Sequence, residues 1–486
     1  MMPPMPATTA HPAPRTTTMR RAPGRLAARA LCFAPVAALA LVAGCTPPRG
    51  GAVHIATTPP RASTGGGGAS AHSIAAEHAA RYLALTLEAG TYEDEYIDAY
   101  YGPAALRAAA AANPRPPAAL ITAAQDQTAA IDALLQTAPF APNVQEPAYS
   151  ARRRMVALRG LLVAAATRLR MIGGHQYPFD DEAAGLFGTV PATQPLAHYD
   201  GILARLDGLV PGTGPLAARV DAFNDRYIIP ADRLRAVFDA AIAECRARTA
   251  AHITLPAGEH FTLEFVTGKP WSGYNYYQGG YRSLIQVNTD LPIRLSRAVD
   301  LGCHEGYPGH HVLNLLIEQR LVNQRGWHEY QVNPLYSPQS VLSEGSANYG
   351  IDLAFPGPER LRFERDTLYP LAGLNPATAS AYWQVQQATD ALAGARLTIA
   401  RLYLDGAITR AQAVALTGQY LLLSPARAEQ SVGFTDHYRS YVLNYGWGKD
   451  MVRRHVERGN ANAETRWQRM ESLLAQPTQP ADLIVN

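Results

Sequence analysis

Apolar residues recur at helical spacing along most of the chain from residue 75 onward, and prolines and glycines interrupt the pattern. Between His252 and Asn288, β-branched and aromatic residues predominate instead, and residues 283–288 alternate between two faces, which predicts two or three strands. The expected fold class is therefore mainly α, with one large helical domain over residues 75–486 and a small embedded β-sheet. The predicted helices span residues 75–90, 118–137, 146–171, 215–228, 231–250, 291–305, 311–323, 339–354, 377–405, 409–418, 434–446 and 463–475.

The first 74 residues predict export and a tether. An arginine-bearing head precedes an apolar run from Ala30 to Ala43, which is too short to span a bilayer and is typical of a secretory signal peptide over residues 1–44, with Met19 as an alternative start. The run ends in Leu-Val-Ala-Gly-Cys, which resembles the lipobox of bacterial lipoproteins and predicts a lipid on Cys45. An ordinary signal peptide with a chance cysteine is the alternative. Residues 45–74 are rich in proline, glycine and serine and predict a flexible tether.

This leader sets the expected location of the protein. We expect a lipid-anchored protein on the periplasmic side of the cell envelope. Thr46 follows the cysteine in place of the aspartate that resembles an inner-membrane retention signal, which favours the outer membrane.

Charge and cysteine usage exclude two classes of protein. Of the 43 basic residues, five are arginines within residues 1–44, which contain no acid, so the rest of the chain holds 38 basic and 40 acidic residues. A nearly neutral chain argues against nucleic acid as a partner. Four cysteines are too few for a disulfide framework. A single bridge between Cys245 and Cys303 is compatible with the sequence, which does not decide it.

Three histidines and a glutamate lie within residues 304–311, His-Glu-Gly-Tyr-Pro-Gly-His-His. Zinc favours histidine nitrogen and carboxylate oxygen. In the common H-E-x-x-H helix the two histidines are one turn apart, but here the fourth residue after His304 is Pro308. His310 is six residues away, which in a regular helix places it about 120° around and about 9 Å along the axis from His304. A regular helix would therefore not close a metal site.

Pro308 and Gly309 predict how the histidines meet. Proline disrupts a helix and glycine tolerates unusual dihedral angles, so a widened turn at 307–309 would bring His310 back over His304. His311 has the same azimuth as His304 but lies about 10.5 Å along a regular helix and needs more compression. We favour His310 as the second ligand, with His311 as the alternative.

The third ligand is expected from a later helix, and Glu344 in Ser-Glu-Gly-Ser-Ala-Asn-Tyr-Gly is the candidate. Asn348, one turn further on, is expected to orient a ligand histidine by a hydrogen bond. Asp300, one turn before His304, is a second candidate for that role.

Several segments resemble the "domain of unknown function 885" family of bacterial proteins. The resemblance covers about residues 170–457 and implies a helical, gluzincin-like zinc metallopeptidase fold with one Zn²⁺ per chain. It also implies that His304, His310 (or His311) and Glu344 are ligands and that Glu305 is the general base. The matching segments are RMIGGHQYPFDDEAAGLFG, KPWSGYNYYQGGYRSLIQVNTDLP, HEGYPGHH, SPQSVLSEGSANYG and YRSYVLNYGWGKDMVRRHVE.

These parts predict a membrane-anchored peptidase in which Glu305 takes a proton from a zinc-activated water. Tyr445, or else Tyr441, is the candidate donor to the developing oxyanion. The strand at 283–288 resembles the edge strand on which gluzincins bind an extended peptide. The candidate substrate-binding residues in and beside it are Tyr281, Arg282, Gln286 and Asn288.

Two other functions remain compatible with the sequence. One is a metallohydrolase that acts on an amide other than a peptide. The other is a binding or scaffold lipoprotein with a structural metal site, which the carboxylate of Glu305 beside an open position argues against.

Overall fold

Helices dominate the computed structural model, which describes residues 70–142, 147, 149–269 and 271–484. The predicted signal peptide and Cys45 lie outside the described residues, as does nearly all of the tether. None of the helices described has the length and apolarity needed to cross a bilayer. In chain order the first ten helices are α1 Ala71–Ala89, α2 Ala104–Ala112, α3 Pro117–Leu135, α4 Ala151–Ile172, α5 Phe179–Phe187, α6 Asp200–Leu209, α7 Leu216–Asp225, α8 Leu234–Ala250, α9 Ser296–Leu301 and α10 His310–Ile317.

The second half of the described chain is helical almost throughout. Its helices are α11 Pro338–Ala354, α12 Glu359–Phe363, α13 Tyr369–Ala372, α14 Ala379–Asp390, α15 Ala393–Leu404, α16 Arg410–Tyr420, α17 Pro425–Tyr438, α18 Leu443–Glu457, α19 Ala463–Leu474 and α20 Pro480–Leu483. π-Helical turns extend three of these helices, at Gly302–Gly306, Glu318–Asn323 and Glu364–Leu368.

Local sequence explains several helix ends. Ser70 caps α1, since its hydroxyl accepts a hydrogen bond from the amide of Ser73, and the helix therefore begins inside the segment predicted as tether. Thr409 and Gln412 form a capping box at the start of α16. Gly188 ends α5 in the left-handed conformation that glycine tolerates.

The mainly helical class with small sheets is confirmed. Most predicted helices are present, but the prediction at 434–446 is wrong because the chain breaks there: Arg439 has a φ of 53°, and α17 and α18 lie on either side of it. Among the described residues, the helices that were not predicted from the pattern include α2, α5, α6, α12, α13, α20 and most of α17.

Two small sheets accompany the helices. β1 Ile97–Tyr100 pairs antiparallel with β5 Val332–Pro334. β2 His260–Val266, β4 Arg282–Asn288 and β3 Gly273–Gly279 form a three-stranded sheet in the order β2-β4-β3, with β4 parallel to β2 and antiparallel to β3. The expectation that 283–288 is an edge strand is therefore wrong. β4 is hydrogen-bonded on both sides and is the central strand, and β2 and β3 are the two outer strands.

α11 and α18 pack closely because each helix has a glycine at the point where the two cross, Gly345 in α11 and Gly448 in α18. A Cβ placed on Gly345 would lie 2.5 Å from the backbone carbonyl of Gly448, so any larger residue would push the helices apart. This close packing brings Glu344 of α11 next to Tyr441, which lies two residues before α18, and near Tyr445 within α18.

A disulfide joins Cys245 of α8 to Cys303, the residue before His304. It ties α8 covalently to the π-helical turn that carries the histidine. Because disulfides persist mainly in oxidising compartments, the bridge is in keeping with an exported protein.

Candidate metal centre

The helix that carries His304 is interrupted just before His310, as predicted. α9 continues through the π-helical turn to Gly306, Tyr307 is extended (φ −124°, ψ 119°), and α10 begins at His310. The amide of Gly309 donates to the carbonyl of Cys303 over 3.0 Å. A Cβ on Gly309 would lie 1.7 Å from the carbonyl oxygen of His304, so only glycine fits this fold-back.

The interruption brings three ligand atoms together. The Nε2 atoms of His304 and His310 are 3.1 Å apart, and Oε2 of Glu344 lies 3.4 Å from His304 and 3.9 Å from His310. Ligands at zinc-like bond lengths in a tetrahedral arrangement lie roughly 3.3 Å from one another. Oε2 of Glu344 is buried and has no hydrogen-bond partner among the described residues. The spacing, the donor set and this unpartnered oxygen all fit a metal ion.

Electrostatics couple these three side chains. Burial alone would lower the pKa of His304, but the carboxylates of Glu344 and Glu305 outweigh it and raise that pKa. Burial would likewise raise the pKa of Glu344, but both histidines hold it below its usual value. Burial lowers the pKa of His310 to about 4, helped by the charge of His304. His310 is therefore neutral at pH 7, which is the state in which imidazole binds a metal.

The groups that orient the ligands differ from those predicted. Ser343 Oγ hydrogen-bonds Nδ1 of His310 over 2.9 Å, leaving Nε2 free to face a metal. Asn348 was expected in this role, but its Nδ2 donates instead to the backbone carbonyl of Glu344 within α11, over 2.8 Å. Sequence reasoning missed Ser343 because a serine next to a ligand has no distinctive pattern.

Asp300 is also placed differently from the prediction. Its carboxylate pairs with Arg360 over 2.8 Å and with Arg297 over 3.4 Å and makes no bond to His304. Burial would raise the pKa of Asp300, but the two guanidinium groups outweigh it and lower the pKa. Asp300 therefore anchors the helix before the site and does not orient a ligand.

Glu305 lies beside β3, one of the two outer strands of the three-stranded sheet. Asn275 Nδ2 of β3 donates to its backbone carbonyl over 2.7 Å, and a Cβ on Gly273 would lie 2.9 Å from its Oε1. Its carboxylate accepts no hydrogen bond from the described residues. Burial raises the pKa of Glu305 to about 7; the charge of His304 opposes this shift, and that of Glu344 adds to it.

The two candidate tyrosines have different surroundings. Tyr441 donates its hydroxyl to Oε1 of Glu344 over 3.0 Å, so it holds a ligand candidate in place and is not a free oxyanion donor. The hydroxyl of Tyr445 has no partner within the described part of the chain. Burial raises the pKa of Tyr445, and the carboxylates of Glu344 and Glu305 add to this, so its hydroxyl keeps its proton.

His311 points away from the cluster into a second, fully buried network. Its Nδ1 hydrogen-bonds Ser283 Oγ over 2.8 Å, and its Nε2 lies 3.0 Å from Glu259 Oε2. Tyr307 donates its hydroxyl to the same glutamate oxygen over 2.6 Å. The network therefore ties the turn at 307–311 to β4 and to the residue preceding β2.

The residues predicted to bind substrate do not contact the cluster. Gln286 hydrogen-bonds Glu264 on the exposed face of the sheet, since side chains alternate along β4 and Ser283 takes the other face. The side-chain amide of Asn288 donates hydrogen bonds to the backbone carbonyls of Lys269 and Trp271. The other two predicted residues also lie elsewhere: the Tyr281 hydroxyl accepts a bond from Asn323, and Arg282 is exposed at the start of β4.

Asp98 of β1 is a further acidic residue near the centre. It accepts a hydrogen bond from the hydroxyl of Tyr274 on β3. Burial raises its pKa to about 6 against the effect of this bond, and the charge of Glu344 adds to the rise. Asp98 lies more than two hundred residues before Glu344 in the sequence, and its local pattern gave no sign of this proximity.

Replacement of Asp98 with Asn is expected to stabilise the metal-free protein at pH 7 to 8, by roughly 1–3 kcal/mol. The carboxyl has a higher pKa in the folded state than when unfolded, so the folded state binds more protons between pH 4 and 6 and loses stability as the pH rises through that range. Denaturant titrations at pH 4 and pH 7.5 measure the difference. An equal effect of the substitution at both pH values would contradict this expectation.

Comparison with known proteins places the chain near three solved structures. A provisionally assigned lipoprotein from Colwellia psychrerythraea has a TM-score of 0.48 and 13% sequence identity, and the match covers 75% of this chain and 65% of that one. A provisionally assigned lipoprotein of unknown function from Shewanella oneidensis has a TM-score of 0.41 and 12% identity, with 76% of each chain covered. An M32 carboxypeptidase from Deinococcus radiodurans R1 has a TM-score of 0.45 and 14% identity, with 85% of this chain and 94% of that one covered. The chain thus spans less than two thirds of the first of these. No family model and no curated protein matches it, so the similarity to the domain of unknown function 885 family stays a prediction.

The fold and the site together define a mainly helical protein with a candidate metal centre. The side chains of His304, His310 and Glu344 form this centre. Each offers one ligand atom, and these atoms all lie within 4.8 Å of one another.

Proposed function

We propose that this protein is a zinc-dependent peptidase, anchored to the cell envelope by a lipid on Cys45. The observation that carries the proposal is the His304–His310–Glu344 cluster, in which a buried carboxylate oxygen faces two imidazole nitrogens and has no hydrogen-bond partner in the described chain. An unpartnered buried carboxylate oxygen is costly unless a cation or donor satisfies it. The resemblance of HEGYPGHH and SEGSANYG to the domain of unknown function 885 family supports the same ligand set.

The three cluster residues would hold the zinc, and Ser343 and Tyr441 would keep two of them oriented. When bound, zinc supplies Lewis-acid polarisation of the scissile carbonyl and activation of the attacking water. Residue types and spacing favour zinc over calcium or magnesium, which prefer all-oxygen sites.

Glu305 is the proposed general base. Its carboxylate has no competing hydrogen bond from the described residues and lies next to His304 in sequence and in space. In the proposed reaction an oxygen of Glu305 accepts a proton from the attacking water and later delivers it to the nitrogen of the leaving amine. The Tyr445 hydroxyl, which keeps its proton and has no partner among the described residues, donates a hydrogen bond to the carbonyl oxygen as negative charge develops there.

β3 is the proposed docking strand for the peptide backbone. It is one of the two outer strands of its sheet, and it lies against Glu305 through Gly273 and Asn275. An extended peptide that pairs with an outer strand gains main-chain hydrogen bonds with little dependence on its side chains. This position replaces β4, which has no free edge.

Metal analysis of the purified mature protein tests the proposal. We expect about one zinc per chain, removal of that zinc by a strong chelator, and loss of peptide hydrolysis that added zinc restores. Mass spectrometry of released products from a peptide library reports the activity. Protein purified without chelator that contains no stoichiometric transition metal and takes none up would contradict the proposal.

A further inference from the structure

We propose that Arg396, together with Arg297, forms a binding site for a carboxylate group of the substrate. This inference rests on the proposed peptidase function and goes beyond it by naming a chemical feature that the substrate must carry. Two observations lead to it: a guanidinium that has no anionic partner among the described residues, and the position of its helix beside the candidate centre.

Arg396 has no protein partner in the described part of the chain. It lies on α15, is only partly exposed, and makes neither an ion pair nor a hydrogen bond there. Arg401 on the same helix shows the usual alternative, because it pairs with Asp180 and reaches the Thr193 hydroxyl. Burial lowers the pKa of Arg396, and the charge of Arg297 adds to that effect. Most other arginines with shifted pKa values have a carboxylate neighbour that raises them.

Helix packing places α15, the helix that carries Arg396, on the side of the site where Tyr445 lies. α15 packs against α18, which carries Tyr445, and against residues 439–442. The positive charge of Arg396 opposes the rise in the Tyr445 pKa, so the two groups interact electrostatically. Because of this packing, α15 approaches the centre from the Tyr445 side and carries Arg396 there.

Arg297 connects this position with Glu305. It lies on α9, and its guanidinium donates to Ser272 Oγ over 3.3 Å, directly before the Gly273 that touches Glu305. Asp300 engages it at a long 3.4 Å, while that carboxylate pairs more closely, at 2.8 Å, with Arg360. The side chain of Arg297 is 42% exposed, so part of it remains accessible to a ligand.

A carboxylate is the ligand that these groups fit best. A guanidinium presents planar, paired N–H donors that match the two oxygens of a carboxylate, and a charged group without a counter-charge is costly to bury. In a peptide this group comes from the C-terminus or from an acidic side chain. The two sources share the same chemistry, and the experiment below distinguishes them.

Binding to metal-free protein tests the site independently of hydrolysis. The probes are N-acetyl-tetraalanine with a free C-terminus, the same peptide as a C-terminal amide, and an amide peptide with one internal glutamate. Calorimetry is expected to show that at least one carboxylate-bearing probe binds about 10- to 100-fold more tightly than the uncharged amide, as charge-assisted hydrogen bonds predict. Arg396→Met should remove most of that difference, and which probe binds identifies the source. Equal or undetectable binding of all three probes would overturn the inference.

Arg205→Met is the matched control, because Arg205 is an exposed arginine without an ion-pair partner in the described structure. It should bind all probes like the wild type. Arg396→Met should also unfold at the same or a higher temperature than the wild type, since it removes a poorly compensated charge. Loss of probe discrimination together with a clearly lower unfolding temperature would indicate a structural role and contradict the inference.

Hydrolysis by the zinc-loaded protein separates this inference from the proposed function. Preferential cleavage of the carboxylate-bearing peptides, with KM raised about 10- to 100-fold in Arg396→Met, supports both proposals. Equal cleavage of charged and uncharged peptides would overturn the carboxylate site and leave the peptidase standing. Discrimination in binding without cleavage of any peptide would contradict the peptidase function and leave the carboxylate site standing.

Discussion

Replacing Glu305 with Gln is expected to leave zinc binding intact and to lower the turnover number by about two to four orders of magnitude. Gln has nearly the same size as Glu, but its amide accepts no proton from an attacking water at neutral pH. Glu305 lies outside the cluster of ligand atoms formed by His304, His310 and Glu344, so its loss should not open the metal site. Zinc content and turnover, measured on the same preparation, report the two properties separately.

Two kinds of control distinguish the loss of a general base from the loss of a metal ligand and from an unspecific effect of the substitution. Glu344→Ala and His304→Ala should lose both zinc and activity, because each removes one of three ligands. Glu264→Gln changes a glutamate on the exposed face of β2 in the same chemical way and should alter neither property. Release of zinc by Glu305→Gln would make Glu305 a ligand and contradict its assignment as the base.

The sequence was most informative where the candidate site residues lie close together in the chain. His304, Glu305 and His310 lie within seven residues, so the conflict between their spacing and a regular helix was visible without a structure. Proline and glycine between them implied the interruption, since one disrupts a helix and the other permits close approach. The structure shows this close approach, because Gly309 lies so near the carbonyl oxygen of His304 that a Cβ would be 1.7 Å from it.

Strand order was beyond the reach of the sequence. The alternating pattern of β4 correctly indicated a strand with one buried face, but alternation is the same for a central and an outer strand. Which strand is central depends on pairing between β4 and β2, which are separated by β3 in the sequence. The candidate substrate-binding residues Arg282, Gln286 and Asn288 therefore lie on the central strand, and their role stays a prediction.

Groups from distant parts of the chain were missed for a related reason. Asp98 reaches the region of the centre only through the pairing of β1 with β5 and the packing of Tyr274 against it. The assignment of Asn348 as a group that orients a ligand failed because helical spacing alone does not tell which neighbour of Glu344 faces His310. In each case the deciding quantity is a tertiary distance of a few ångströms.

The two adjacent histidines provide the most demanding test of the site. His310→Ala should abolish zinc binding, because it removes a nitrogen 3.1 Å from that of His304. His311→Ala should keep the zinc, lower activity about tenfold through the loss of support for the turn, and destabilise the protein by about 2–4 kcal/mol. The destabilisation follows from burial: His311 is fully enclosed, and its removal leaves a cavity and takes a partner from Ser283 and from Glu259. Zinc titration and thermal unfolding of both variants measure these effects. Zinc lost in a folded His311→Ala protein, but retained in His310→Ala, would exchange the roles of the two histidines and refute the geometry on which the proposed function rests.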